Sequence, residues 1–156
     1  MAAPLGLNCV NHISLAVADI DRSLDFYERL TGVAPESGVQ RIAGPGLARV
    51  SAAPGLSMTY ATLQLENVEI NLIEFDAAAA SGASPNPRQA PGTMHVGFRV
   101  TDIDEVVARM RAAGFDVEME PYTVPDSEGS PDTVGLRFVY FDDPDGNHLE
   151  LVSTGT

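Results

Sequence analysis

The chain has 156 residues, of which 44% are hydrophobic and 20% charged, and this balance favours one globular domain over a disordered chain. Aspartate and glutamate number 22 against nine arginines, so the net charge is −13 and little basic surface remains for binding nucleic acid. The absence of lysine excludes Schiff-base chemistry and a phosphate-loop lysine, and we expect a site for a small molecule.

The cysteine count and the N-terminal residues indicate the cellular compartment of the protein. Cys9 has no second cysteine to pair with, which excludes an internal disulfide and a cysteine-built zinc site, and we expect it to be a small buried apolar residue. No apolar run approaches the roughly 20 residues that span a bilayer, and the first residues lack the pattern of a signal peptide. We therefore expect a cytoplasmic protein with no membrane or nucleic-acid partner.

The first predicted elements are a strand and a helix. Apolar residues alternate along residues 12–17, which predicts a strand that is half-buried on one face. Asp19 can then cap a helix that ends by Gly32. The apolar stripe of this helix consists of Ile20, Leu24, Tyr27 and Leu30.

The same pattern returns 83 residues later. Residues 95–100 alternate as residues 12–17 do, and Asp102 takes the place of Asp19 before a second helix that ends at Gly114. Its apolar stripe consists of Ile103, Val106, Val107 and Met110. Because a short helix by itself is marginally stable, each stripe is expected to pack on a sheet.

Each copy continues into a predicted hairpin. One hairpin lies at residues 58–73 and the other at residues 135–152, and their second strands match at an offset of 79 residues. The stretch from Glu36 to Ser57 and the acidic stretch from Glu118 to Asp132 are predicted as loops, and the third strand of each copy has the weakest pattern.

The repeat predicts an α+β fold of two βαβββ modules that form a cupped mixed sheet. The first module covers about residues 8–75 and the second about residues 93–153. A linker rich in alanine, serine and proline joins them at residues 76–92, within a single domain of residues 1–156.

Strand alternation predicts which polar side chains share the face opposite the helices. In the first strand of each copy these begin with His12 and His95. In the last strand of each copy the equivalent positions are Asn71 and Glu150. Curved sheets would bring all four side chains into one cup.

These motifs resemble the vicinal oxygen chelate superfamily, which includes glyoxalase I, methylmalonyl-CoA epimerase, extradiol dioxygenases, fosfomycin-resistance enzymes and bleomycin-resistance proteins. The resemblance rests on a histidine that opens each βα repeat and on Asp-Pro-Asp-Gly-Asn-His-Leu-Glu-Leu at residues 143–151. It implies a homodimer and one divalent metal ion per chain, held by His12, His95 and Glu150. Two imidazoles and one carboxylate leave coordination positions open and suit Fe, Mn, Ni, Co or Zn.

A fourth metal ligand has two candidates. Asn71 occupies the position where many members of this superfamily carry glutamate or glutamine, and this departure argues against glyoxalase I activity. Glu74 lies three residues further on, but it is in phase with the residues that face the helices unless the strand contains a bulge. We therefore expect a three-ligand site in which Asn71 is an occasional ligand or a substrate contact.

Three further residues on the expected cup face are candidates for catalysis. His148 has a side chain suited to acid–base chemistry near neutral pH, and Glu69 is a possible base. Arg99 can receive a substrate carboxylate or enol oxygen. Each of these three residues could instead be a surface or salt-bridged side chain without a catalytic role. Tyr60 and Tyr140 are expected to be packing residues.

The resulting functional hypothesis is a metal-dependent enzyme that acts on a small oxygenated molecule. Isomerase, lyase or epimerase chemistry through a stabilised enolate or oxyanion is favoured. The alternatives are a metal-free protein that sequesters an antibiotic, a single-domain Fe(II) dioxygenase and a purely structural domain. Metal analysis separates the enzyme from the sequestering protein.

Overall fold

The computed structural model describes residue 7 and residues 9–50, 55–76 and 86–154, without the side chains of residues 48 and 50. The chain divides into two units, Met1–Ala83 and Ser84–Thr156. The division falls within the predicted linker, of which residues 77–85 lie outside the described residues.

The first unit is a four-stranded mixed sheet with two helices. Its elements are β1 (His12–Val17), α1 (Ile20–Thr31), β2 (Gln40–Ala43), α2 (Pro45–Val50), β3 (Ser57–Gln64) and β4 (Glu69–Phe75). The strand order is β1-β4-β3-β2, with β1 parallel to β4 and the other pairs antiparallel.

The second unit has the same topology. Its elements are β5 (His95–Arg99), α3 (Ile103–Ala112), β6 (Tyr122–Thr123), β7 (Arg137–Asp142) and β8 (His148–Ser153). The strand order is β5-β8-β7-β6, and β5 is parallel to β8. Each unit is therefore a βαβββ module, and the predicted fold class is confirmed.

The internal repeat extends to the strand register. In the first unit Ser14, two residues after His12, pairs with Asn71. In the second unit Gly97, two residues after His95, pairs with Glu150. The two predicted offsets therefore describe one strand pairing that occurs twice.

Both long helices begin and end at sequence signals. The side chain of Asp19 accepts a hydrogen bond from the backbone N–H of Arg22, and that of Asp102 accepts one from Glu105. Helix α1 ends at Gly32, whose φ of 74° is a left-handed conformation that favours glycine. These caps fix the length of each helix and its entry from the preceding strand.

The core of each unit lies between its sheet and its long helix. Helix α1 contacts β3 and β4, and α3 contacts β8. Among the described residues, the largest fully buried side chains are Tyr27, Leu63, Ile70, Leu72, Ile103, Val107, Leu149 and Ser23. Burial of each large apolar side chain stabilises the fold by about 1.5–3 kcal/mol. The helix-facing side of each sheet therefore forms the core, and the opposite side can carry a functional site.

The structure corrects two smaller predictions. The stretch predicted as a loop between Glu36 and Ser57 contains strand β2 and the short helix α2, and residues 51–54 of it lie outside the described residues. Cys9, expected to be buried, is exposed. No helix among the described residues is long and apolar enough to cross a membrane.

Candidate functional site

A histidine and a carboxylate meet on the exposed face of the second sheet. The Nε2 atom of His95 lies 3.3 Å from Oε2 of Glu150. The His95 side chain is 44% exposed and that of Glu150 15%, so solvent reaches the pair from the histidine side. Strands β5 and β8 position it, because Glu150 pairs with the residue two positions after His95.

Gly97 provides the space in which the Glu150 carboxylate lies. A Cβ atom at position 97 would come 3.2 Å from Oε2 of Glu150, closer than ordinary van der Waals contact. Gly97 has an ordinary strand conformation, so its value here is the missing side chain and not its backbone freedom. The carboxylate can therefore extend across β5 towards His95.

The separation of these two atoms fits joint coordination of a metal ion. Two ligand atoms that are each about 2.1 Å from one ion, at an angle near 100°, lie about 3.2 Å apart. The observed 3.3 Å between His95 and Glu150 matches this value. Within each unit, the described residues contain no group of three or more histidine, cysteine, aspartate or glutamate side chains that could hold an ion, so the pair by itself offers two candidate ligands.

His12 occupies the equivalent position in the first unit. It is exposed, and its Nδ1 atom lies 2.9 Å from the side-chain oxygen of Asn11. In the tautomer in which Nδ1 donates to this oxygen, Nε2 keeps a free lone pair, as a metal ligand requires. In that tautomer, Nε2 of His12 is a candidate ligand atom.

The two candidates for a fourth ligand lie on opposite faces of β4. Asn71 pairs with Ser14 and shares the face of His12, and its side-chain oxygen accepts a hydrogen bond of 2.7 Å from the Thr62 hydroxyl. Glu74 lies on the helix side, where its carboxylate accepts a hydrogen bond of 2.8 Å from the backbone N–H of Ile20. Glu74 is thus engaged at the N-terminus of α1, where a negative charge is favourable.

His148 is held at both ring nitrogens. Its Nδ1 atom lies 2.7 Å from a carboxylate oxygen of Asp142, and Nε2 lies 2.9 Å from the backbone oxygen of Asn86. The side chain is only 11% exposed. This geometry leaves no ring nitrogen of His148 for a substrate, although the sequence suggested an acid–base role.

Asp142 also holds Arg88, a residue of the predicted linker. Arg88 Nη2 donates a hydrogen bond of 2.6 Å to Asp142, and its guanidinium lies 4.7 Å from the centre of the Tyr140 ring. Its Nε atom is buried and has no hydrogen-bond partner in the described part of the chain. Arg88 and Asn86 together fix this part of the chain on the second sheet.

Tyr140, expected from the sequence to be a packing residue, lies on this face beside the histidine and the carboxylate. It pairs with Glu150 across β7 and β8, and its ring contacts the His95 ring edge-on, with the centres 5.7 Å apart. Burial and the negative charge of Glu150 raise the pKa of Tyr140, and the charge of Arg88 opposes them. Alternation along the hairpin could have placed Tyr140 beside Glu150, but its proximity to His95 depends on the sheet register.

Glu69 and Arg99 have no side-chain hydrogen bond or ion pair with any described residue. Glu69 is half-buried and pairs with His12, so the two side chains share a face. Arg99 is exposed and lies four residues after His95 on the same face of β5. Both side chains are therefore available to a ligand.

Comparison with known proteins agrees with this fold and motif set. Residues 10–151 match the model of the Glyoxalase/Bleomycin resistance protein/Dioxygenase superfamily. The chain is 30% identical over 152 residues to a 2-epi-5-epi-valiolone epimerase from Actinomyces sp, covering 95% of this chain and 80% of that protein.

Solved structures show the same fold. A glyoxalase family protein from Bacillus cereus aligns with a TM-score of 0.74 and 23% identity over 94% of each chain. A fosfomycin resistance protein from Listeria monocytogenes, FosX, in complex with Mn(II) and sulfate, aligns with a TM-score of 0.58 and 18% identity, over 96% of this chain and 94% of that one. The chain therefore belongs to the glyoxalase/bleomycin resistance protein/dioxygenase superfamily.

Proposed function

We propose that this chain is a metal-dependent enzyme that epimerises or isomerises a small oxygenated molecule at a carbon next to a carbonyl group. The observation that supports this most is the 3.3 Å approach of His95 to Glu150 on an exposed sheet face. A 30% identical relative is named as an epimerase, and the FosX structure contains Mn(II) in the same fold. The first finding favours epimerisation, and the second favours a divalent metal site in this fold.

The proposed ligands of the ion are His95, Glu150 and His12. The first two have donor atoms at a suitable separation, and the repeat assigns His12 the role in the first unit that His95 has in the second. Asn71 is a neutral substrate contact or a weak fourth ligand, since an amide oxygen brings no charge to the ion. Glu74 is excluded from this proposal because it binds the N-terminus of α1.

When bound, a divalent ion of this kind would act as a Lewis acid that stabilises negative charge on a substrate oxygen. The side chains around it would orient the substrate and move its proton. In this proposal Tyr140, whose ring contacts the His95 ring, donates a hydrogen bond to a substrate oxygen. Glu69, which has no described partner, is the candidate base, and His148 is a positioning residue that holds Asn86 and Asp142.

Proton exchange in D2O tests this proposal. The metal-free chain is loaded in turn with Mn, Ni, Co, Zn or Fe(II) and incubated with 2-epi-5-epi-valiolone, the compound for which the relative is named, and with a panel of α-hydroxy ketones. We expect metal-dependent loss of the NMR signal of a proton next to the carbonyl, abolished in His95→Ala. Exchange that ignores the metal, metal-dependent uptake of O2, or tight binding without any turnover would overturn the proposal.

A further inference from the structure

The second sheet carries a cationic side chain without a counter-charge on the same face as the proposed site. Among the described residues, six arginines form ion pairs with carboxylates, at 2.6–3.7 Å: Arg29, Arg41, Arg88, Arg109, Arg111 and Arg137. Arg99 on β5 and Arg49 on α2 form none with any described residue, although the chain has 22 acidic residues. Of these two arginines, Arg99 is the one that shares a sheet face with His95 and Glu150, so its lack of a partner bears on the proposed site.

The nearest carboxylate on this face is directed elsewhere. Glu150 pairs with Gly97, so it is a diagonal neighbour of Arg99, which pairs with Val152. Diagonal neighbours on one face of a sheet are within reach of long side chains. Glu150 nevertheless lies against His95, and Arg99 is left to bind an anion from outside the described residues.

No side chain at position 97 separates His95 from Arg99, since Gly97 is the residue between them on this face. The carboxylate of Glu150 lies over Gly97 on the way to His95. Residues four apart on a strand are about 13 Å apart, and the long arginine side chain can shorten this span. A ligand whose reacting oxygens lie at His95 would therefore need a negative group several bonds away to reach Arg99.

We infer that the substrate of the proposed site is an oxyanion, a small molecule whose carboxylate or phosphate group is bound by Arg99. The guanidinium fork offers paired donors to two oxygens of such a group, which a neutral ligand cannot match. This inference rests on the proposed function for the location of the reacting end, and it adds the chemical class of the substrate.

Matched pairs of probes test the inference. Delta-hydroxylevulinate is compared with its neutral methyl ester, and dihydroxyacetone phosphate with dihydroxyacetone, by titration calorimetry on the Mn(II)-loaded chain. We expect the charged member of at least one pair to bind at least about tenfold more tightly, with a preference that weakens as salt is added. The pair with the larger preference identifies carboxylate or phosphate as the group bound.

The variants assign the effect to Arg99. Arg99→Gln is expected to remove the preference for the charged probe and leave binding of the neutral one unchanged, and Arg99→Lys to keep part of it. Arg109→Gln is the control, because Arg109 is an exposed arginine on α3 with Glu105 as its partner. A preference that survives in Arg99→Gln, or wild-type protein that prefers the charged member of neither pair, overturns the inference.

Metal titration in the absence of any probe distinguishes failure of the proposed metal-dependent function from failure of the inferred anion site. A chain that binds Mn(II) but prefers the charged member of neither pair retains the proposed function and overturns the inference. A chain that binds no metal but prefers a charged probe, with a preference lost in Arg99→Gln, supports the anion site and overturns the proposed function.

Discussion

Gly97 and Glu150 face each other across the parallel strands β5 and β8, and the carboxylate of Glu150 occupies the space that a side chain at position 97 would take. The same carboxylate reaches the His95 ring at 3.3 Å. The equivalent pair in the first unit, Ser14 and Asn71, does not produce such a contact, since Asn71 binds Thr62 instead. The two units share the strand pairing, but only the second has a glycine in it, at position 97. The missing side chain leaves room for the Glu150 carboxylate to approach His95.

Filling this space is expected to weaken metal binding. In Gly97→Val the added atoms push the Glu150 carboxylate away from His95, and the affinity for Mn(II) measured by calorimetry should fall about 10-fold, with a smaller loss in Gly97→Ala. Gly46→Ala is the control, because a Cβ there meets nothing within 4 Å. Unchanged affinity in Gly97→Val would show that Glu150 is not a ligand in this position.

Substitutions at Glu74 and Asn71 of β4 should affect different properties, the first folding stability and the second metal affinity. Glu74→Ala removes the acceptor at the N-terminus of α1, and the free energy of unfolding should fall by about 1 kcal/mol with no change in metal affinity. Asn71→Glu adds an anionic oxygen on the His12 face and should tighten metal binding. Denaturant unfolding and metal titration of both variants give the answer, and a large loss of affinity in Glu74→Ala would contradict this division.

Asp142 should protect the chain from cleavage after Arg88. Trypsin needs a free arginine side chain, and Arg88 is bound to Asp142 and covers Tyr140. In Asp142→Ala both Arg88 and His148 lose a charged partner, so cleavage at the Arg88–Gln89 bond should be about 10-fold faster by mass spectrometry. The control Glu105→Ala, which frees only Arg109, should leave this rate unchanged.

Equal cleavage rates at Arg88 in Asp142→Ala and wild type would mean that the contacts of Asp142 do not hold this segment on the second sheet. His148 would then have no positioning role to explain its burial.

The pairing of Asp104 with Arg137 should give a pH-dependent contribution to stability. Two hydrogen bonds from Arg137, together with its charge, hold the pKa of Asp104 below its ordinary value of 3.8 against the opposing effect of desolvation. A carboxylate whose pKa is lowered on folding stabilises the protein above the unfolded-state pKa, and this contribution disappears as the pH falls through the folded-state value. Asp104→Asn should therefore lower the Tm at pH 7 and have little effect near pH 2.

The control for Asp104 is Asp116→Asn, because Asp116 is exposed and has no ion pair among the described residues. Its Tm difference from wild type should be small at every pH. A difference for Asp104→Asn that is constant from pH 7 to pH 2 would contradict the linkage.

Much of the fold follows from local signals in the sequence. The histidine-led strands, the aspartate caps and the glycine ends of the helices predicted both modules, because alternation and capping depend only on neighbouring residues. Strand β2 and the two-residue strand β6 were not placed, since they are short and exposed and depend on pairing with a distant strand.

The contacts between side chains were harder to predict. The face of Glu74 follows from alternation, but its bond to the N-terminus of α1 requires packing that the sequence does not show. His148 has the chemistry of an acid–base residue, and only the structure shows that Asp142 and Asn86 occupy both nitrogens. Arg88 lies in a stretch with linker composition, so nothing local indicated that it would cover Tyr140.

The most direct test of the central proposal is Mn(II) binding to the wild-type chain and to four single variants, measured by electron paramagnetic resonance. We predict one bound ion per chain in the wild type, a loss of affinity of at least about 10-fold in His12→Ala, His95→Ala and Glu150→Ala, and nearly wild-type affinity in His148→Ala. The absence of bound Mn(II) in the wild type, or wild-type affinity in both His95→Ala and Glu150→Ala, would contradict the proposed metal centre.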